Sequence, residues 1–204
     1  MQIKYPNGQK SKVIQNDTNQ RKTKNLKKSH LGVSFEDAIN ESNQFYLESN
    51  RAVIYKKPTP IQIVKVEYPS RNKAKISEAY YKTPSTTDYN GIYRGKYIDF
   101  EAKSCHEKRF AFKNIYSHQI EHLRKIKEHG GISFLLIEFS IYNRVFIFPV
   151  ESLLKYYKLS LNGGEKSIPF EIFEKEGFEV KIGFRPRLFY LDEIDIIYAD
   201  FFNN

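Results

Sequence analysis

One cysteine, Cys105, stands among 204 residues, so the chain can form no disulfide within itself, and a reducing compartment is expected. No apolar run approaches the roughly 20 residues that span a bilayer. The first 20 residues, "MQIKYPNGQKSKVIQNDTNQ", lack the apolar centre of a secretory signal. A soluble, cytoplasmic protein is the expectation. "GGEKS" at 163–167 lacks the G-x-x-x-x-G-K-[ST] spacing of a phosphate-cradling loop, which argues against an NTPase. No serine or cysteine sits in a nucleophile motif, and no internal repeat is found. His118 and His122 are four apart on one expected helix, but no histidine or cysteine with suitable spacing joins them, so zinc is not expected.

Hydrophobic residues make up 40% of the chain and aromatic ones 15%, enough for one sizeable core. The net charge of +9 is unevenly spread. Residues 1–30 hold eight lysines and arginines against Asp17, while residues 31–50 carry four acids and no base. Residues 51–75 then bring seven bases (Arg51, Lys56, Lys57, Lys65, Arg71, Lys73, Lys75) against Glu67, and the remainder balances. Two such concentrations of positive charge suit a polyanion, nucleic acid above all. A solvated tail that only aids solubility is the plainer alternative for the first.

Residues 1–29, polar and aperiodic, are expected to be a disordered tail, and residues 30–204 a single domain. Ser34 and Asp37 form a capping pattern for a helix over 34–50, with Phe35, Ala38, Ile39, Phe45 and Tyr46 as its apolar stripe. A short strand at 52–56 leads to prolines at 58, 60 and 69, which are unwelcome in central strands. An extended, protruding arm over about 57–80 fits that segment better than a core strand pair. Asn90-Gly91 marks a turn within 83–91, and "IYRGKYIDFEAK" follows as two strands meeting at Gly95 or one bent strand. A helix at 117–131, buried strands at 132–140 and 144–150, a helix at 151–157, a loop at 161–169, a strand near 178–182 and a helix near 191–202 complete the order. The fold class is mixed α/β.

Within the strand at 97–103, alternation puts Tyr97, Asp99, Glu101 and Lys103 on one face and Ile98, Phe100 and Ala102 on the other. Asp88 lies in the preceding turn, so the pattern is an acid, twelve residues, then Glu-Ala-Lys. Hard carboxylate oxygens of this kind hold a divalent ion, which polarises a phosphoryl oxygen and acidifies a water. An ammonium on the same face can offset charge developing on phosphorus. The competing reading is a solvated strand face, since the spacing is loose. Asp99 could be a third ligand or an acid on a half-exposed strand, and the pattern leaves both open. Gln119 looks by spacing like an ordinary surface residue.

Longer stretches carry more. "YPNG" at 5–8, "AVIYKKPTPIQIVKVEYPSR" at 52–71, "EAYYKTPSTTDYNGIYRGKYIDFEAK" at 78–103, "SHQIEH" at 117–122, "GGEKSIP" at 163–169 and "GFRPRLFYLDEID" at 183–195 together resemble the RecU family of Holliday junction resolvases. The resemblance implies a restriction-endonuclease-like core, a mixed central sheet flanked by helices, a stalk that inserts at the junction centre, and a homodimer. It implies Mg²⁺-dependent symmetric nicking of four-way DNA, with Mn²⁺ as a substitute. The recombinase and branch-migration machinery would be further partners. The family's metal-binding residues fall on Thr86, Asp88, Glu101 and Gln119, and its transition-state lysine on Lys103, so Asp88, Glu101 and Lys103 form the catalytic set. Arg71 matches a stalk arginine that contacts DNA, and Lys56, Lys57, Lys65, Lys73 and Lys75 are the accompanying basic candidates. Glu36 matches an acid of the first helix. The chain departs from the family at "HLG" (30–32), where Asn-Arg-Gly is usual, and at "EAKSC", where "EAKET" is usual. Two alternatives accompany this reading: another nuclease of the same fold acting on linear duplex, and a non-catalytic DNA-binding regulator of recombination.

Overall fold

The computed structural model describes residues 33–71, 73–82 and 86–202. The basic tail, the "HLG" departure at 30–32 and part of the 83–91 turn lie outside the described residues. The first helix, α1 (Phe35–Glu48), starts where the sequence places its cap: Ser34 Oγ accepts from the Asp37 backbone N–H at 3.1 Å. Its buried side is Phe35, Ala38, Ile39, Ser42, Asn43 and Tyr46, whereas Phe45 is only half-buried. A left-handed Asn50 (φ 52°) turns the chain into β1 (Ala52–Lys56).

After β1 the chain leaves the body of the protein and returns as an antiparallel pair, β2 (Ile61–Ser70) and β3 (Lys73–Tyr81). Every side chain described in this hairpin is exposed except Val66, which is half-buried. The expected arm is therefore a strand pair, though one outside the core. Pro69 is accommodated because the ladder slips between Glu67 and Ser70, so no strand bond is asked of its nitrogen.

The central sheet comprises β1, β4 (Tyr89–Tyr93), β5 (Lys96–Cys105), β7 (Ile132–Phe139), β8 (Arg144–Pro149) and β10 (Phe178–Val180), in the order β1-β4-β5-β7-β8-β10. All neighbours are antiparallel except β5 and β7, making the sheet mixed. The Asn90-Gly91 signal lies inside β4 rather than at a turn. Gly91 is needed there because a Cβ would run into the Val53 carbonyl of β1. The β4–β5 turn is Arg94-Gly95, both at positive φ (47° and 75°), the conformation that a two-residue hairpin requires.

A parallel pair needs a crossover, and between β5 and β7 it consists of β6 (Arg109–Ala111), a 3-10 turn (Phe112–Asn114) and α2 (Ser117–Glu128). Beyond β8 come α3 (Val150–Leu161), β9 (Ser167–Pro169), α4 (Phe170–Glu176) and, after β10, α5 (Tyr190–Ile197) and α6 (Ala199–Phe202). The small β6–β9 sheet and α4 were not among the sequence expectations, and the helix expected near 191–202 is two helices. Two apolar cores sandwich the sheet. One gathers Ile39, Tyr46, Ile98, Phe100, Phe134 and Tyr190 beneath α1 and α5; the other gathers Leu123, Leu135, Phe148, Leu153 and Phe173 beneath α2, α3 and α4. Phe100 stacks between Tyr89 and Phe134, each centroid 4.9 Å away. Such a side chain contributes about 1.5–3 kcal/mol by leaving water, which fixes β5 in the sheet with its other face toward α2. Among the described residues no helix is long and apolar enough to cross a membrane.

Candidate active site

At Asp99 and Glu101 the face of β5 opposite Phe100 is buried, not solvated. Asp99 and Glu101 have no exposed surface, although both are acids. Glu101 is held on one oxygen: Oε1 accepts from Gln119 Nε2 at 2.7 Å and pairs with Lys103 Nζ at 2.6 Å. Its other oxygen, Oε2, is buried without a hydrogen-bond partner. β4 begins at Tyr89, opposite Phe100, so β5 overhangs it from Glu101 onward. Asp88 fills the overhang, its Oδ2 accepting from the Ala102 backbone N–H at 3.2 Å. Thr86, half-buried, stands two residues earlier in the same turn.

Gln119 reaches this site because of where α2 starts. Tyr116 precedes the first turn, and its backbone N–H donates to Gln119 Oε1 at 3.0 Å. That N–H can only donate, so the amide oxygen is committed to it and the amide nitrogen is left to face Glu101. A glutamine that looked like a surface residue by spacing is 4% exposed and directs one carboxylate.

Burial pushes the Glu101 carboxyl up to about 7, the nearby charge of Asp88 adding to the effect and Lys103 opposing it. A carboxyl whose folded-state pKa is raised contributes stability fully below its ordinary value near 4.5 and loses it as pH rises through 7. Glu101→Gln, which cannot ionise, should therefore stabilise the metal-free protein by about 1–3 kcal/mol at pH 8. The gain should shrink as pH falls toward 5. Thermal unfolding in EDTA at pH 5, 7 and 8 checks this, and a variant less stable than wild type at pH 8 refutes it.

The orphaned Oε2 and the neighbouring Asp88 carboxylate are hard oxygen donors of the kind that hold a divalent cation. Among the described residues no group of three or more His, Cys, Asp or Glu is placed to hold a metal ion, at this site or elsewhere. His122 is instead turned to Asp99, Nε2 to Oδ2 at 3.3 Å.

Asp99, left open by the sequence, is the centre of a second network. It accepts from Tyr97 Oη at 2.9 Å and from Thr87 Oγ1, and it pairs with Lys57 Nζ at 2.8 Å. Lys57 is thus not a stalk base but an inward-facing partner of a buried acid, because an unpaired carboxylate there would cost several kcal/mol. Lys56 stays with the body as well, 2.5 Å from Glu36, and Arg51 pairs with Asp192 and Asp195. Of the seven bases in 51–75, only Lys65, Arg71, Lys73 and Lys75 belong to the exposed hairpin and its turn, the last three near the tip. At the "EAKSC" departure, Ser104 donates to the buried Glu138 at 2.6 Å and Cys105 joins the α2-side core.

Fold and site together define the class: a mixed α/β protein with two carboxylates, a lysine and a glutamine gathered from its central strand, the turn before β4 and the crossover helix. A model of the family described as Recombination protein U, RecU, matches residues 30–196. The chain is 47% identical over 197 residues to the Holliday junction resolvase RecU of Oceanobacillus iheyensis, covering 96% of this chain and all of that one. It is 47% identical to the protein of the same name from Limosilactobacillus reuteri, over 98% of both chains. The Bacillus cytotoxicus protein of that name is 43% identical over 97% of this chain and 99% of its own. The chain belongs to the RecU family.

Proposed function

We propose that this protein is a Holliday junction resolvase, a structure-selective endonuclease that nicks four-way DNA in recombination and repair. The observation that carries the reading is the buried, unpartnered Oε2 of Glu101 facing the Asp88 turn, with Lys103 on the same strand, in a chain of the RecU family. Asp88 and Glu101, with the Thr86 hydroxyl, would hold Mg²⁺ or Mn²⁺. When bound, the ion supplies Lewis acidity to the scissile phosphate and makes water a better nucleophile near neutral pH.

The chain's own residues do the rest. Lys103, whose side chain is 23% exposed, reaches from Glu101 toward solvent and can neutralise charge forming on phosphorus. Gln119 holds Glu101 Oε1 and so leaves Oε2 for the cation; this orienting part is the one proposed for it, since its own oxygen is engaged by Tyr116. In-line attack by water leaves a 5′-phosphate and a 3′-hydroxyl. A restriction-endonuclease-like arrangement in a homodimer would present two such sites across a two-fold axis and cut strands of like polarity symmetrically. The exposed hairpin would enter the junction, with Lys65, Arg71, Lys73 and Lys75 on phosphates, selecting shape without reading sequence.

The test is cleavage of a synthetic four-way junction and of linear duplex with the same sequences, each with and without Mg²⁺. Paired nicks in the junction alone, only with the ion, are the expected result. Equal cutting of duplex would favour another nuclease of this fold, and binding without cutting under any divalent ion would favour a regulator.

A further inference from the structure

Asp99 is the most deeply buried charge that the proposed chemistry does not use, and its partners are not scattered. Thr87, 3% exposed, sits between Thr86 and Asp88, and its hydroxyl donates to Asp99 while accepting from Lys57 Nζ at 2.9 Å. Lys57 holds the same turn a second way, its backbone N–H donating to the Asp88 carbonyl at 2.7 Å. Tyr97 and His122 occupy the remaining capacity of the Asp99 carboxylate, and Asn90 Nδ2 in turn donates to Tyr97 Oη at 3.0 Å. The turn carrying Thr86 and Asp88 is thus tied at Thr87 to β5 and at Asp88 to the end of β1. Asp88 is anchored to β5 as well, through the Ala102 N–H.

We infer that Asp99 is a positioning residue for cleavage: through Lys57 and Thr87 it locks the Thr86–Asp88 turn against β5, so that Asp88 meets Glu101. The inference rests on the proposed nuclease reading. A carboxylate is required at Asp99 because only a charged acceptor offsets a half-buried ammonium and takes several donors at once. The clamp also stands at the root of the hairpin, which leaves the body after Lys57 and returns just before the turn. The hairpin closes its own base through Lys82 N–H to the Pro60 carbonyl at 3.0 Å, so loosening Thr87 does not undo it.

Thr87→Val keeps the shape of the side chain and removes both hydrogen bonds, while Thr87→Ser keeps the hydroxyl. Single-turnover cleavage of a four-way junction, junction affinity measured without divalent ions, and thermal unfolding are compared with wild type and with Asp99→Asn. The expected result for Thr87→Val is a cleavage rate lowered at least about tenfold, since small misplacements of reacting groups carry such losses. Affinity should be unchanged, the unfolding temperature should drop only by the modest cost of two lost hydrogen bonds, and Thr87→Ser should return the rate to near wild type. Asp99→Asn, if it folds, should show the same loss. Wild-type cleavage by Thr87→Val overturns the inference, as does a rate that falls only together with affinity and with a larger drop in unfolding temperature. A wild-type protein that cuts no junction overturns the nuclease reading itself, a result distinct from cleavage that ignores Thr87.

Discussion

Asp88→Asn should bind four-way junction DNA with near wild-type affinity and fail to cut it. The asparagine carbonyl can still accept from the Ala102 N–H, so the turn keeps its anchor. The Lys57 N–H to Asp88 carbonyl bond is backbone and untouched. What disappears is one of the two negative charges proposed to hold the cation, and several kcal/mol of transition-state stabilisation with it. A loss on the order of a thousandfold or more in single-turnover rate follows. A mobility-shift titration without divalent ions, beside cleavage with Mg²⁺, separates the two quantities. Cleavage retained within tenfold of wild type would remove Asp88 from the site, whatever happened to binding.

The second large effect concerns the hairpin. Replacing residues 61–81 by a short Gly-Ser link should leave the body folded and weaken junction binding by roughly a hundredfold. The exchange is feasible because Pro60 and Lys82 already share a hydrogen bond of 3.0 Å, so the ends are adjacent. It should be tolerated because almost nothing in β2 or β3 is buried, and surface changes away from a core rarely exceed about 0.5 kcal/mol each. Four bases go with it: Lys65, Arg71, Lys73 and Lys75. Each phosphate contact contributes about 0.9 to the salt dependence of log K, so the slope should fall by about three to four. Affinity titrated between 50 and 200 mM salt, alongside a melting curve, measures both. An unchanged slope with unchanged affinity would place the DNA interface elsewhere on the protein.

Much of this was present in local pattern. Alternation assigned Tyr97, Asp99, Glu101 and Lys103 to one face of β5, and that face carries the candidate site. Ser34 stated where α1 begins, and the largely apolar stretch at 132–140 stated that β7 is buried on both sides. Local pattern failed where two signals compete. Asn90-Gly91 is a strong turn dipeptide, but the close approach of β1 takes Gly91 for packing and the turn passes to Arg94-Gly95. Proline argued the arm out of the core sheet, and the arm does lie outside it, as an exposed hairpin whose slipped register accommodates Pro69.

Basic charge was misread for a related reason. Composition counts lysines in a segment without knowing which way each faces, and Lys57 faces Asp99, forty-two positions away. Sequence alone determined most of the longer local elements, the face on which the acids of β5 stand, and the acid–Glu-x-Lys pattern, because those depend on periods of two and on neighbours in the chain. Only the tertiary structure decided that Gln119 reaches Glu101, that Asp99 is buried and paired with Lys57, and that Arg51, Lys56 and Lys57 pair with acids outside the hairpin. Those outcomes follow from the strand order β1-β4-β5 and the crossover of α2, which bring distant side chains within hydrogen-bonding reach where water is excluded and every charge needs a partner.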